Sequence, residues 1–238
     1  MNNQQFLEVL KNSFVKFLET HSRSNEKLKI LHGSIAYDLS ERLGNDYEIK
    51  SLGYGTQSEG KIQGRYINKK VDITIIHNNK PIAGIAIKFF MQNYVQNANN
   101  YFENMLGETA NIRSNNIPYF QIFIIPSQLP YYKNMGDFSK WEKFTLNHLN
   151  KYLILSQDNN EYWLHSPTKT LIYIIDLPNL NNTINKKDYT NQYAQLHKSN
   201  LLTVNTSSLF ANQRLGSNVI LNDYDTFMKK LVYRILSE

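Results

Sequence analysis

The stretch from Lys69 to Phe90 constrains the fold of this chain more than any other part of the sequence. Two runs rich in Ile flank a polar turn at His77 to Pro81. Apolar, β-branched runs separated by a short polar segment predict a β-hairpin. Because side chains along a strand alternate between two faces, the sequence also predicts which of them lie together.

The alternation gives each predicted strand an apolar face and an opposite face. If the two apolar faces are buried together, Asp72, Ala86 and Lys88 share the opposite face of the hairpin. Directly opposed residues point the same way, so this pairing requires a loop with an odd number of residues or a β-bulge. A three-residue loop, Asn78 to Lys80, satisfies the requirement, and Asn tolerates left-handed backbone. The apolar sets are Val71, Ile73 and Ile75 on the first strand and Ile85, Ile87 and Phe89 on the second.

The order Asp72, hairpin, Ala86-Ile87-Lys88 inside apolar flanks resembles the pattern of the PD-(D/E)xK nucleases. In that family an Asp ends one strand and an acidic-x-Lys sequence follows on the next. Val71 stands where the family often has Pro, which is a tolerated variation. Ala86 stands where the family has Glu or Asp, so the chain lacks one carboxylate of the family pattern.

The resemblance implies a Mg²⁺-dependent phosphodiesterase. Such a cation neutralises the phosphate, lowers the pKa of an attacking water and prefers oxygen ligands. By the family pattern, Asp72, position 86 and the carbonyl of Ile87 hold the metal, and Lys88 positions the water and stabilises developing charge. With Ala86 in place, we expect the chain as written to be inactive or nearly so. Either the carboxylate was removed deliberately to trap a substrate complex, or the chain is a natural pseudo-enzyme.

Three further charged residues are candidates for the same predicted site. In many relatives of the resembled family, a helix before the first core strand supplies an extra acidic residue. Glu41, near the end of a helix predicted over Asn25 to Leu43, has that place. Glu59 and Arg65 lie within reach of the hairpin and are candidates for contacting metal or phosphate. The alternative for each is an ordinary surface or loop side chain.

Length and composition favour one domain of 238 residues, long enough to bury a sizeable core. The net charge of +6 favours a polyanionic partner. The chain has no Cys, which excludes disulfides and thiolate zinc sites. No stretch approaches the roughly 18 apolar residues of a membrane span, and the N-terminus lacks a signal-peptide pattern. We therefore expect a cytoplasmic protein with no membrane partner.

The periodicity along the chain predicts an α/β (α+β) domain with the element order α-β-β-β-α-β. This order is that of the restriction-endonuclease-like core of the resembled family, a central mixed β-sheet flanked by helices. We assign the core to about residues 25–126 of a single nuclease domain, 1–238. The predicted elements are helices over 4–20 and 25–43, strands over 47–52 and 62–66, the hairpin, a long helix, and a fully buried strand over 119–125.

Amide side chains recur at helical spacing after the hairpin. Asn is a poor helix former with no intrinsic reason to recur at this period. The pattern therefore suggests a hydrogen-bonding partner, either a twin helix across a dimer or a nucleic-acid groove, and a merely solvated face is the alternative. The stripe consists of Asn93, Asn97, Asn100, Asn104, Glu108 and Asn111.

The remainder, residues 127–238, resembles no family and is the predicted DNA-recognition and dimerisation part. We expect helices over 138–152 and 223–236, a strand over 171–176, and polar stretches between them. Lys, Asn, Gln and Arg side chains contact phosphates and base edges, although a solvated loop residue is the alternative for each. Together with Asn93, Asn97 and Asn100 of the amide stripe, the candidates for DNA contact are Lys133, Asn134, Asn182, Lys186, Lys187, Asn191, Gln192, Lys198 and Arg214.

The sequence thus favours a Mg²⁺-dependent, sequence-specific endonuclease of double-stranded DNA that resembles type II restriction enzymes. A homodimer would place one active site on each strand of a palindromic site. Two alternatives remain open: a structure-selective repair or recombination nuclease, and a non-catalytic DNA-binding module on a decayed nuclease fold. Ala86 is the main support for the non-catalytic module.

Overall fold

A seven-stranded mixed sheet lies at the centre of the chain and carries helices on both faces. The computed structural model describes residues 1–20, 24–133, 136–180 and 185–237. The helices are α1 (Asn3–Glu19), α2 (Glu26–Leu43), α3 (Tyr94–Arg113), α4 (Leu146–Gln157), α5 (Lys186–Lys198) and α6 (Tyr224–Leu236). The first six strands are β1 (Tyr47–Ser51), β2 (Gly60–Gln63), β3 (Asn68–Val71), β4 (Ile73–His77), β5 (Lys80–Phe89) and β6 (Tyr119–Pro126). The others are β7 (Gln128–Tyr132), β8 (Phe138–Lys143), β9 (Lys169–Asp176), β10 (Asn205–Thr206) and β11 (Val219–Leu221).

The strand order is β1-β4-β5-β6-β9-β10, with β11 beside β9. Strands β1, β4 and β5 are antiparallel, whereas β5, β6 and β9 run parallel. Within this sheet the chain order is α2-β1-β4-β5-α3-β6, with β2 and β3 forming a separate ribbon between β1 and β4. The predicted mixed sheet flanked by helices and its α-β-β-β-α-β order are therefore present.

Two apolar layers hold the helices to the sheet. One contains Phe6 of α1, Leu31 of α2 and Phe227 of α6, packed against the sheet. The other packs α3 and α4 against the opposite face. Strand β6 is buried along its whole length, as its continuous apolar sequence predicts.

The hairpin of β4 and β5 reaches the predicted register by a β-bulge. Ile73 pairs with Ile85, and the register shifts between Ile75 and Ile76. The turn contains only Asn78 and Asn79, with φ angles of 50° and 60°. The predicted three-residue loop is therefore wrong, because two Asn residues in left-handed conformation close a two-residue turn. The bulge supplies the odd residue that the face assignment requires.

The strand predicted from Val71 onward is interrupted at Asp72, between β3 and β4. The hydroxyl of Ser51 donates a hydrogen bond to the carbonyl of Asp72 (2.8 Å). The strand predicted over 62–66 is also shorter, because the chain turns after Gln63 and returns as β3.

The helix predicted over 138–152 is wrong in its first half. Phe138–Lys143 forms β8, which pairs with β7. Helix α4 begins only after Thr145, whose side chain and that of His148 form a capping box. The polar stretch 181–200 contains α5, which buries the rings of Tyr189 and Tyr193. The strand over 171–176 and the helix over 223–236 are confirmed.

None of the helices in the described ranges combines the length and the apolar character needed to cross a membrane.

Candidate active site

Asp72 lies at the junction of two strands and faces β5. Its carboxylate oxygen Oδ2 accepts a hydrogen bond from the backbone N–H of Ile87 (2.7 Å). The hydrogen bond from Ser51 to its carbonyl holds the same residue from the β1 side. The predicted neighbours, Asp72 and the segment Ala86 to Lys88, are therefore together in the structure.

The backbone of Ile87 points toward Asp72. The N–H of Gly84 donates to the carbonyl of Pro118 (3.1 Å), and the N–H of Phe90 donates to a carbonyl of β6 (3.0 Å). The direction of the backbone N–H and C=O groups alternates from residue to residue along a strand. The N–H and C=O of Ile87 therefore point away from β6, toward the β4 side of the strand. The carbonyl that the resemblance assigns to the metal thus lies on the side of Asp72.

Three potential metal ligands from three segments converge at this point. His32 comes from α2, Glu59 from the loop before β2, and Asp72 from the strand junction. One ligand atom of each lies within 4.8 Å of the others. The His32 side chain is 1% exposed and that of Asp72 is 23% exposed, so the cluster opens to solvent on its acidic side. Two carboxylates and an imidazole at this spacing fit one divalent cation.

His32 is the buried member of the cluster. Among the described residues, neither of its ring nitrogens has a hydrogen-bond partner, and Nδ1 lies 4.0 Å from Oδ1 of Asp72. Burial lowers the pKa of His32, Lys88 lowers it further, and Asp72 opposes both. The net lowering of its pKa favours the neutral imidazole, which is the form that binds metal. A buried polar group without a partner is costly, and coordination of a cation would relieve that cost.

Glu59 and Lys88 belong to the same electrostatic environment. Burial raises the pKa of Glu59, and so does the neighbouring Asp72, while Lys70 and Lys88 lower it. Two carboxylates in close proximity disfavour each other's charged form, and a cation between them removes this repulsion. The Lys88 side chain is exposed, although its charge acts on both Glu59 and His32. Its ammonium group is thus within electrostatic range of the cluster.

Ala86 is packed in an apolar environment. Its side chain is 4% exposed and belongs to a cluster with Ile62, Val71, Ile112 and Tyr119. Ile73 pairs with Ile85, so Asp72 lies opposite Ala86 on the same face of the hairpin, beside these apolar neighbours. The second carboxylate beside Asp72 is that of Glu59.

Helix α2 contributes His32 to the cluster, whereas Glu41 lies elsewhere. Glu41 follows His32 by nine residues, which places it about 13 Å further along the helix and on the opposite side. Glu41 is exposed and lines a groove beside Tyr54.

A glycine contact positions α2 and therefore His32. A Cβ on Gly33 would lie 2.5 Å from the carbonyl oxygen of Gly53. Gly53 has φ +76°, and a Cβ there would lie 2.1 Å from the carbonyl oxygen of Lys29. The helix backbone thus lies directly on the turn after β1. A glycine inside a helix costs about 1 kcal/mol relative to Ala, so Gly33 was a sequence signal for this close approach.

Arg65 lies at the tip of the β2–β3 ribbon. Its N–H donates to the carbonyl of Asn111 (2.8 Å), and its guanidinium carbon lies 5.7 Å from the ring centre of Tyr66. The side chain is exposed.

In the amide stripe of α3, the side chains near the start of the helix are partly or fully exposed, and those near its end contact other parts of the protein. Asn93 precedes the helix with φ 52°, Asn97 is half-buried, and Asn100 is exposed. At the other end, Glu108 pairs with a lysine of β3 (2.5 Å), and Asn111 is buried.

Most candidates in the C-terminal part are surface residues. The amide of Gln192 donates to the carboxylate of Asp188 (3.0 Å). Asn134 and Asn182 lie outside the described residues. Lys186, Lys187 and Asn191 line a groove of about 570 Å³ at the start of α5. The exposed candidates are Lys133, Lys187, Asn191, Lys198 and Arg214.

Comparison of the chain with protein-family models, curated proteins and solved structures found no match. The functional interpretation therefore rests on the residues and their geometry.

Proposed function

We propose that this chain is a divalent-metal-dependent endonuclease of double-stranded DNA, with a core like that of the PD-(D/E)xK nucleases. The observation that carries the proposal is the convergence of Asp72, Glu59 and His32, and the charge of Lys88 acts on two of these groups. Carboxylates and an imidazole at metal-ligand spacing, next to a lysine ammonium, match the needs of phosphodiester hydrolysis. The specific form that we propose is a type II restriction enzyme.

The residues fit a bound metal because the buried imidazole of His32 has no hydrogen-bond partner in the described chain. His32, Glu59 and Asp72 would hold the cation, and the carbonyl of Ile87 lies on the same side. A bound divalent cation supplies charge neutralisation at the phosphate and a more acidic water. The resemblance implies Mg²⁺, but Mg²⁺ prefers oxygen ligands, whereas Mn²⁺ accepts imidazole more readily.

The protein groups have separate tasks. The N–H of Ile87 fixes one carboxylate oxygen of Asp72, which leaves the other oxygen directed toward His32. The exposed ammonium of Lys88 orients a water and stabilises negative charge that develops on the phosphate. Glu59 supplies the carboxylate that position 86 does not. This proposal differs from the expectation of an inactive chain, which assumed that only position 86 provides the second carboxylate.

We further propose that the protein acts as a homodimer, because two antiparallel strands then each meet one active site. Sedimentation of the free protein and of its complex with DNA tests the dimer. Cleavage of linear duplexes into discrete fragments supports site recognition, whereas preferential cleavage of junctions or flaps supports the structure-selective alternative.

A non-catalytic DNA-binding module is the second candidate function. The observation that favours it is Ala86, whose methyl group packs among apolar side chains at the position where the family has a carboxylate. Such a module would bind duplex DNA with a steep salt dependence and would leave the DNA intact in the presence of every divalent metal.

Metal binding gives a prediction that does not depend on activity. At about 100 times its dissociation constant, a ligand stabilises the folded state by about 2.7 kcal/mol. For a chain of this length we therefore expect Mn²⁺ to raise the melting temperature by about 5 to 10 °C, measured by scanning calorimetry. We expect a smaller shift with Mg²⁺ at the same concentration.

The His32→Gln variant should lose most of this shift, and His197→Gln, an exposed residue of α5, should retain it. A shift of equal size in the parent and in His32→Gln would contradict the assignment of His32 as a ligand.

A further inference from the structure

The two-stranded ribbon of β2 and β3 stands outside the central sheet and leads directly to Asp72. Its register pairs Lys61 with Lys70 and Gln63 with Asn68. Directly opposed residues share a face, and neighbouring pairs alternate between faces. These two pairs therefore lie on one face, and the Ile62 and Lys69 pair lies on the other.

The inner face of the ribbon is packed against the domain. Ile62 is fully buried, and Val71 is 2% exposed. Lys69 forms an ion pair with Glu108 of α3 (2.5 Å). These contacts fix which face of the ribbon points outward.

The tip of the ribbon is clamped by one side chain of α3. The Oδ1 atom of Asn111 accepts hydrogen bonds from the N–H groups of Tyr66 (2.9 Å) and Ile67 (3.2 Å). Its Nδ2 atom donates to the carbonyl of Ile67 (2.8 Å). A Cβ on Gly64 would lie 2.1 Å from the same Nδ2 atom, so the turn fits closely around Asn111. The ribbon is thus presented in a defined conformation.

The outer face is exposed and carries an unfavourable pair of charges. The side chains of Lys61, Lys70, Gln63 and Asn68 are all exposed. Like charges directly opposed on a ribbon are destabilising. Neither lysine forms an ion pair with any residue in the described ranges. Two opposed lysines on one face, followed by an opposed pair of amides, supply the groups that bind a polyanion with hydrogen-bonding edges.

We propose that this outer face enters the major groove of duplex DNA, an inference that rests on the proposed nuclease function. A two-stranded ribbon fits into the major groove, which is about 12 Å wide. It is too wide for the minor groove, which is about 6 Å wide. Lys61 and Lys70 contact phosphates, and Gln63 and Asn68 read base edges, for which adenine is the usual partner of an amide. A-form RNA does not admit the ribbon, because its major groove is narrow and deep.

The placement connects recognition to chemistry. Strand β3 ends one residue before Asp72, and strand β2 begins one residue after Glu59, so the ribbon connects the two carboxylates. A ribbon seated in the groove therefore brings the flanking phosphates to the metal cluster. Recognition would then come partly from the core rather than only from residues 127–238.

The test separates phosphate contact from base reading by two double variants. Affinity is measured by fluorescence anisotropy with 30-base-pair duplexes of mixed sequence. The double variant Lys61→Gln with Lys70→Gln should bind all of these duplexes more weakly, by a similar factor. The slope of log affinity against log salt should fall by about 1.8, since each neutralised phosphate contributes about 0.9. The control, Lys80→Gln in the turn region of the hairpin, should change neither quantity.

Gln63→Ala with Asn68→Ala should alter sequence preference instead. Duplexes randomised over 20 base pairs are selected by the parent and by the variant and then sequenced. We expect the preference at the affected positions to fall by about 5- to 150-fold per lost bidentate contact, with the salt slope unchanged. Asn45→Ala, an exposed turn residue, is the matched control.

All four side chains are exposed, so the variants should fold, and the lysine double variant should melt at or above the parent temperature because the opposed like charges are gone. If the parent binds and cleaves duplex DNA but the ribbon variants keep its affinity, salt slope and selected sequence, the ribbon proposal is overturned and the nuclease function stands. If the parent binds structured RNA and not duplex DNA, both proposals are overturned.

Discussion

The Asp72→Asn variant is expected to cleave DNA at least about a thousandfold more slowly than the parent chain. Asp72 belongs to the proposed metal site and also accepts the hydrogen bond from Ile87. An amide oxygen can still accept that hydrogen bond, so the fold should persist, but the ligand charge is lost. A loss of about 4 kcal/mol of transition-state stabilisation corresponds to this change in rate.

Initial rates on a supercoiled plasmid with Mn²⁺ measure this effect. Asp46→Asn makes the same chemical change at an exposed turn residue and should leave the rate unaltered. DNA affinity of the Asp72→Asn variant should equal or exceed that of the parent, because a negative charge near the phosphate is removed. Cleavage by Asp72→Asn within tenfold of the parent would contradict the assigned role.

The Lys88→Met variant should lose cleavage by about 100- to 1000-fold while it still binds metal. The side chain of Lys88 is exposed and its charge acts on Glu59, and we propose that it acts on water and phosphate rather than holding the cation. Removing a positive charge beside a cation site does not weaken metal binding. The Mn²⁺-induced rise in melting temperature should therefore be at least as large as in the parent.

Lys80→Met is the matched control, since Lys80 is exposed at the other end of β5. The two measurements together distinguish a role in the reaction from a structural role. Loss of the metal-induced shift together with cleavage in Lys88→Met would show that Lys88 supports the site and does not act on the substrate.

The sequence predicted the part of the site that lies on the hairpin, because there the alternation of apolar and polar residues shows which side chains share a face. Period-two patterning placed Asp72 and Lys88 on one face of the hairpin, and the structure brings Asp72 to Ile87 (2.7 Å). The position of the bulge was not predictable in this way. Asn78 and Asn79 in left-handed conformation make a two-residue turn, which requires a bulge, whereas a three-residue loop without a bulge satisfied the same pattern.

His32 was missed because its role depends on contacts distant in sequence. It lies on a helix whose apolar stripe predicts only packing, and Asp72 follows forty residues later. The close approach of Gly33 to Gly53 places the helix at the strand junction. A glycine inside a predicted helix, beside a histidine, was the available signal.

The first half of the helix predicted over 138–152 fails for a related reason. Phe138 and Trp141 are three residues apart, which suits a helix. Pairing of β8 with β7 supplies backbone hydrogen bonds instead, and the capping box at Thr145 starts α4 later. Tertiary pairing overrides local spacing here, and sequence alone gives no measure of that pairing.

The measurement that tests the nuclease assignment most directly is plasmid cleavage by the parent chain and by Ala86→Glu, each with Mn²⁺, Mg²⁺ or EDTA. We predict linear or fragmented products from the parent with Mn²⁺ and none with EDTA. Ala86→Glu should be no faster, because Glu59 already supplies the second carboxylate and the longer side chain must fit among Ile62, Val71 and Tyr119. Cleavage by Ala86→Glu alone, or no metal-dependent cleavage by either protein, would contradict the assignment of Glu59 as the second carboxylate of the site.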